Sequence, residues 1–190
     1  DRVTAALVSH THDDHFDPTV AGGFLEQHAG AVLAATPDVL AALRKDFAHY
    51  PAIKGRLVEV NWGAGRRVSK VLNGVRVDLI KFPHEASQFF PDDVALHIVH
   101  INGVNVLHGA DAEMLAEQLA ALHLESESLD VALLPYSFLA TPGADKLFAA
   151  HVRAKQVVAM HLPVAGIEEA MATVRKQFPN VIFLTTPFQS

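Results

Sequence analysis

The chain of 190 residues contains no cysteine. That absence excludes a disulfide framework, a thiolate nucleophile and any sulfur-ligated metal. It leaves the compartment open, because a cysteine-free chain suits either redox environment. Positive charge is also in short supply: 15 Lys and Arg against 21 Asp and Glu give a net charge of −6 with histidine neutral. Phosphate backbones are bound by clustered cations, so this balance argues against a nucleic-acid partner. Long apolar runs are missing as well. The longest uncharged stretch, around Val94 to Ala110, is broken by His, Asn and Gly and falls short of the roughly 18–20 apolar residues of a membrane span. No Pro/Gly/Ser linker or low-complexity segment divides the chain, so residues 1–190 are expected to form one domain. The first residue is Asp1 rather than Met, as expected of a processed or truncated chain.

What is present in excess is histidine, with twelve copies against fifteen Lys and Arg together. The histidines lie on a framework whose periodicity is that of an α/β protein. Val3 to Val8 is a short apolar run of the kind buried on both faces of a sheet, and Ala31 to Ala35 is a second strand. Between them, Asp17-Pro18 marks a helix start, with the helix carrying through Gln27; Thr36-Pro37 opens another through about Phe47. From Leu57 the period falls to two in LVEVNW, RRVSKVL and VRVDLIKF. The Asn73-Gly74 pair predicts a hairpin within an antiparallel meander. After an irregular loop from Pro83 to Asp93, VALHIVHI and VNVLHGA repeat the pattern around Asn102-Gly103. Asp111 precedes an apolar-periodic helix, for which it is a suitable N-cap. The last third alternates strand and helix through DVALLP, ADKLFAAHVRA, QVVAMH, GIEEAMATVRKQF and VIFLTT.

The chemistry is concentrated where the first strand ends. Residues 10–15 read His-Thr-His-Asp-Asp-His, an H-x-H-x-D-H pattern. His10 and His12 are two apart in an extended segment and so point the same way, and a tight turn after them brings Asp14 and His15 to the same side. Neutral imidazoles and carboxylates are ligands for zinc, manganese or iron. Other histidines carry less weight. His97 and His100, three apart on one strand, face opposite sides and are read as structural. His108, three before Asp111, is a candidate for orienting a ligand. His28, His49, His123 and His151 are expected to be solvated. Tyr136 and Ser137 follow DVALLP at a strand's carboxyl end, where α/β sheets place substrate contacts.

The H-x-H-x-D-H motif, followed in order by His84 in FPHEAS, Asp111 in LHGADAE and His161 in VVAMHLP, resembles the metallo-β-lactamase superfamily in its dinuclear metal-hydrolase branch. DVALLP ahead of the last histidine resembles the group typified by L-ascorbate-6-phosphate lactonase and the phospholipase-D-like members. The resemblance implies an αβ/βα sandwich of two mixed sheets with helices outside, and the N-terminal strands that usually come first are expected to be lacking in this chain. It further implies two divalent metal ions, zinc ahead of manganese or iron: one held by His10, His12 and His84, the other by Asp14, His15 and His161, with Asp111 bridging and Asp14 also catalytic. Two cations roughly 3.5–4 Å apart share a hydroxide and polarise a carbonyl or phosphoryl oxygen, so no serine or cysteine nucleophile is needed. In this family glycine usually adjoins the bridging Asp, whereas here Gly109 is followed by Ala110.

The expected activity is hydrolysis of a small ester, lactone, amide or phosphodiester by a metal-bridging hydroxide. The alternatives are a nucleic-acid-processing metallo-nuclease, which the acidic balance disfavours, and a non-catalytic metal-binding module. A flavodiiron-type redox module shares the fold but typically has Glu where His12 stands. The expected partner is a small-molecule substrate. Because Val3 to Val8 is apolar on both sides, it is expected to have neighbours on both edges, supplied by a further N-terminal β segment or by a second copy of the chain.

Overall fold

A computed structural model describes residues 3–85 and 93–185. The strands are β1 (Ala5–Leu7), β2 (Val32–Ala35), β3 (Leu57–Glu59), β4 (Arg67–Leu72), β5 (Val75–Pro83), β6 (Asp93–Ile101), β7 (Val104–His108), β8 (Leu129–Pro135), β9 (Ala154–Met160) and β10 (Ile182–Phe183). The helices are α1 (Pro18–Gln27), α2 (Pro37–Asp46), α3 (Tyr50–Ile53), α4 (Ala116–Ala120), α5 (Tyr136–Leu139), α6 (Ala144–His151) and α7 (Ile167–Gln177). Hydrogen bonding orders the strands as β1-β2-β3 and β10-β9-β8-β7-β6-β5-β4. The smaller sheet is parallel at both pairings, and the larger is mixed. None of these helices is long and apolar enough to cross a membrane.

The chain divides into two compact units, the first comprising residues 1–82 and 93–97, the second 83–92 and 98–190. In the first, β1, β2 and β3 run parallel with α1 and α2 as the connections. Asp17 caps α1 by accepting from the Val20 N–H at 2.9 Å, with Pro18 in the first turn where its missing N–H costs nothing. The far end of α1 is closed by Arg56, whose Nη1 donates to the carbonyls of Leu25 at 2.5 Å and His28 at 3.0 Å. Leu25, Leu33, Val39, Leu43 and Ile53 form the buried core. Burying side chains of this size contributes about 1.5–3 kcal/mol each. Gly22 in α1 is there for close approach, since a Cβ on it would lie 2.4 Å from the Phe47 ring.

The hairpin of β4 and β5 forms as the Asn73-Gly74 pair predicts, with φ of 47° and 86° at the turn. Asn73 also donates from Nδ2 to the carbonyls of Thr4 at 2.7 Å and Gly30 at 2.8 Å, tying the turn to β1 and β2. On β5, fully buried Asp78 accepts from Arg67 Nη2 at 2.5 Å, Arg76 Nη2 at 2.7 Å and Ser69 Oγ. A buried carboxylate persists because its lone pairs are filled this way.

In the second unit β7, β8, β9 and β10 are parallel, with α5, α6 and α7 in the connections. Asn102 and Gly103, with φ of 50° and 77°, form the turn between β6 and β7.

Several expectations are corrected. LVE at 57–59 does not join the antiparallel meander; it pairs parallel with β2. Its short alternating pattern does not specify a partner, and the helical connection from β2 carries it into a parallel position. Among the described residues β1 pairs with β2 and is half-buried, with Val3 52% exposed, an arrangement that leaves the expectation about its other edge as it stood. The irregular loop begins later than expected, since Pro83 still belongs to β5, and residues 86–92 lie outside the described set. The helix after Asp111 shrinks to α4, with Leu115 at its N-cap, so Asp111 is not the N-cap of that helix. Residues 112 and 113 are held elsewhere: Ala112 forms a bridge with His84, and the Glu113 N–H donates to the Pro83 carbonyl at 2.9 Å.

Candidate metal centre

In the first unit the H-x-H-x-D-H segment leaves β1 and folds back at once. The N–H groups of His15 and Phe16 both donate to the His12 carbonyl at 2.9 Å, closing a tight turn over the motif. The ring centroids of His10 and His12 are 4.6 Å apart, and those of His10 and His15 are 4.3 Å apart. Asp14 Oδ2 lies 3.4 Å from His15 Nε2, and the Asp14 side chain is 63% exposed. His10 is buried, and its Nδ1 is 2.9 Å from Ser9 Oγ. When a metal occupies Nε2 of a neutral imidazole, Nδ1 carries the proton, and Ser9 Oγ accepts it. Sequence reasoning passed over Ser9; the hydroxyl adjoining the first histidine of the motif was the available signal.

In the second unit Asp111 follows β7 and His161 follows β9, two strands that flank β8. Both residues therefore lie beyond the carboxyl ends of parallel strands on either side of β8. His84, one residue beyond β5, is drawn to Asp111 by the Ala112 bridge and by the Glu85 N–H, which donates to the Asp111 carbonyl at 2.6 Å. The result is a buried carboxylate between two imidazoles: Asp111 Oδ2 is 3.8 Å from His84 Nε2 and 3.5 Å from His161 Nε2. His84 Nδ1 donates to the Glu85 carbonyl at 2.5 Å. A carbonyl only accepts, so the proton of neutral His84 is on Nδ1 and the Nε2 lone pair faces Asp111.

These separations test whether the residues suit a metal. Ligand atoms at about 2.0–2.2 Å around one tetrahedral ion lie about 3.3–3.6 Å from one another. The two contacts of Asp111 fall at or just beyond that spacing and are longer than an ordinary hydrogen bond. With imidazole nitrogens and carboxylate oxygens as the only donors, the set suits zinc, manganese or iron.

The corners that carry these groups are bent unusually. Ala110 has φ of 46° and His161 φ of 57°, a left-handed conformation that costs an L-residue about 1–2 kcal/mol. Ala110 therefore adopts the backbone geometry that a glycine would adopt freely. His108 supports this corner by accepting the Ala110 N–H on Nδ1 at 3.2 Å. Of the remaining histidines, His97 is buried on β6, His100 Nδ1 is 2.9 Å from Asn105 Oδ1, and His49 pairs with Glu26 at the surface. Ser137 donates to Glu85 Oε2, on the wall of a groove of about 410 Å³ beside Ala112. A larger cavity of about 490 Å³, lined in part by Phe148, Gln156 and Phe178, includes none of the candidate ligands.

Strands continuing into metal-type ligands at these corners, on one parallel and one mixed sheet connected by helices, define the metallo-β-lactamase fold. Residues 1–183 match the family model of the beta-lactamase superfamily domain, and the chain belongs to that family. No curated protein matches the sequence. Among solved structures it is similar to Igni18, a metallo hydrolase of the hyperthermophilic archaeon Ignicoccus hospitalis, with 20% identity, a TM-score of 0.63, and 97% of this chain and 76% of that chain covered. Zn²⁺-bound PqqB of Methylobacterium extorquens is 13% identical, with a TM-score of 0.58 over 95% of this chain and 70% of that one. CmlA of Streptomyces venezuelae, a diiron β-hydroxylase, is 12% identical, with a TM-score of 0.62 over 96% of this chain and 44% of that one. At these identities the likeness concerns the fold.

Proposed function

We propose that the protein is a metal-dependent hydrolase whose two divalent ions are held by His10, His12 and His84 and by Asp14, His15 and His161, with Asp111 bridging. The observation that carries this reading is the buried Asp111 carboxylate, whose Oδ2 is flanked by imidazole nitrogens at 3.5 and 3.8 Å. One of those imidazoles belongs to each proposed ligand set, as a bridging carboxylate requires. The 4.3 Å approach of the His10 and His15 rings likewise pairs a member of each set. Zinc is the first choice of metal, with manganese and iron compatible with the same donors.

The ions, when bound, supply water activation near neutral pH and polarisation of the substrate's carbonyl or phosphoryl oxygen. The chain's own residues do the rest. Ser9 and the Glu85 carbonyl orient His10 and His84, while His108 holds the corner that positions Asp111. Asp14, open to solvent, accepts the proton of the attacking water at a carboxylate oxygen and delivers it to the leaving group. The water oxygen bonds to the acyl carbon or phosphorus as the ester, lactone, amide or phosphodiester bond breaks. Within the superfamily, the DVALLP strand favours kinship with the L-ascorbate-6-phosphate lactonase and phospholipase-D-like group as a scaffold.

Metal analysis of stripped protein resupplied with zinc or manganese tests the reading, and two ions per chain are expected. His12→Ala should lower the metal content and abolish hydrolysis across an ester, lactone and phosphodiester panel, with an unchanged circular dichroism spectrum. A chain that takes up no metal under these conditions is not this kind of hydrolase.

A further inference from the structure

Ser137 stands just beyond the carboxyl end of β8, a position suited to a substrate contact, yet its hydroxyl is directed at the chain itself and donates to Glu85 Oε2. Glu85 is where two candidate ligands meet. Its N–H donates to the Asp111 carbonyl at 2.6 Å, and its own carbonyl accepts from His84 Nδ1 at 2.5 Å. Residue 85 therefore holds Asp111 by its amide nitrogen, His84 by its carbonyl and Ser137 by its side chain. All four residues lie in the second unit.

The backbone pairing around Glu85 is short, which makes a side-chain anchor consequential. His84 and Ala112 form an isolated bridge rather than a ladder, flanked by the bonds from the Glu85 N–H to Asp111 and from the Glu113 N–H to Pro83. A rotation about residue 85 either stretches its bond to Asp111 or carries its carbonyl, and the imidazole bonded to it, away. The Nε2 lone pair, 3.8 Å from Asp111 Oδ2, is re-aimed by that movement. On the other side, Ser137 has a firm mount. Buried Phe138 and Leu139 root α5, the Ser137 carbonyl accepts from Thr141 Oγ1 at 2.9 Å, and the Thr141 carbonyl accepts from Gln177 Nε2, at the end of α7, at 2.9 Å.

We propose that Ser137 is a positioning residue of the metal centre: by holding the Glu85 carboxylate it fixes the backbone of residue 85, and through it the aim of His84 and the place of Asp111. This role rests on the hydrolase reading for its catalytic consequence, but not for its first test. Partners that hydrogen-bond to metal ligands change metal affinity by about 10–100-fold when removed. Ser137 acts one contact further out, so the low end of that range, about tenfold, is the expected effect.

The amide protection factor of the Glu85 N–H, measured by hydrogen exchange in metal-free protein, reads the anchor directly. Ser137→Ala should lower it about tenfold with an unchanged circular dichroism spectrum. Ser137→Thr, which keeps the hydroxyl, and Glu85→Gln, whose amide oxygen still accepts, should protect like the parent. Ser137→Ala combined with Glu85→Ala should be no worse than Glu85→Ala alone, as for two residues acting through one contact. In metal-loaded protein, zinc affinity should fall about tenfold in Ser137→Ala. At saturating zinc, kcat should fall with KM unchanged, since the hydroxyl meets no substrate. Unchanged protection in Ser137→Ala, failure of Ser137→Thr to retain it, or additive losses in the double variant would overturn the proposal. So would a raised KM with kcat unchanged, which makes Ser137 a substrate contact. A parent protein that takes up no metal sinks the hydrolase reading alone, and the exchange measurement still decides whether Ser137 positions residue 85.

Discussion

Two adjacent glycines in α1 offer a sharp comparison, because only one of them is in contact with anything. A Cβ built on Gly22 falls 2.4 Å from Phe47 Cγ and Cδ2 and 2.6 Å from Cδ1, whereas one built on Gly23 has nothing within 4 Å. Either Gly→Ala change favours the helix by roughly 0.5–1 kcal/mol. At position 23 that is the whole effect, so Gly23→Ala should stabilise by about that much. At position 22 the methyl must displace the body of a buried ring by about 1 Å to reach ordinary contact, and such overpacking costs typically ~1–3 kcal/mol. Phe47 has little freedom to move, since its ring is buried in the core and its N–H donates to the Leu43 carbonyl of α2 at 3.0 Å. The net expectation for Gly22→Ala is a loss of about 1–2 kcal/mol, a separation of about 2 kcal/mol between neighbouring variants. Urea melts measure it, with midpoints moving in opposite directions and m unchanged. Gly22→Ala combined with Phe47→Leu should recover part of the loss by opening space for the methyl. Because α1 begins three residues beyond His15, the shift should also weaken metal uptake by the motif. If both single variants move the midpoint the same way by the same amount, the contact with Phe47 does not govern this packing and the reasoning fails.

Asp78→Ala should destabilise the protein by about 2–4 kcal/mol in the same melts, because it strips the buried acceptor from Arg67, Arg76 and Ser69, whereas Arg76→Ala, with a half-exposed side chain, should cost under about 1 kcal/mol; equal effects would remove the buried carboxylate from its proposed role. The Asp130 carboxyl is held below its ordinary range first by the Lys155 ammonium 2.7 Å away and then by the Asn105 N–H, so Lys155→Ala should raise its titration in carbon-detected NMR. A carboxylate depressed on folding contributes stability that is present above its unfolded pKa and lost as pH falls through the folded one. The variant should therefore be weaker near neutrality and converge with the parent as acid protonates Asp130; an unmoved titration contradicts this account.

Local chemistry was enough to determine a good part of this protein. The Asn73-Gly74 and Asn102-Gly103 turns adopt positive φ at all four residues because those residue types tolerate it. Asp17-Pro18 starts α1 because cap and ring satisfy or remove the first orphan N–H groups. The H-x-H-x-D-H spacing brings His10, His12 and His15 together because strand alternation and one tight turn act within six residues. What the tertiary structure decided is long-range. β3 left the meander because two-residue periodicity specifies a face and not a partner. Asp111, an acceptable N-cap by sequence, is held beside His84 because the segment after it pairs with residues nearly thirty positions earlier. The proton on His84 Nδ1 is set by a carbonyl contact, and the Ser137 hydroxyl reaches the carboxylate of Glu85, fifty-two residues earlier. No local pattern encodes such meetings; they follow from which strands pair and where each strand ends.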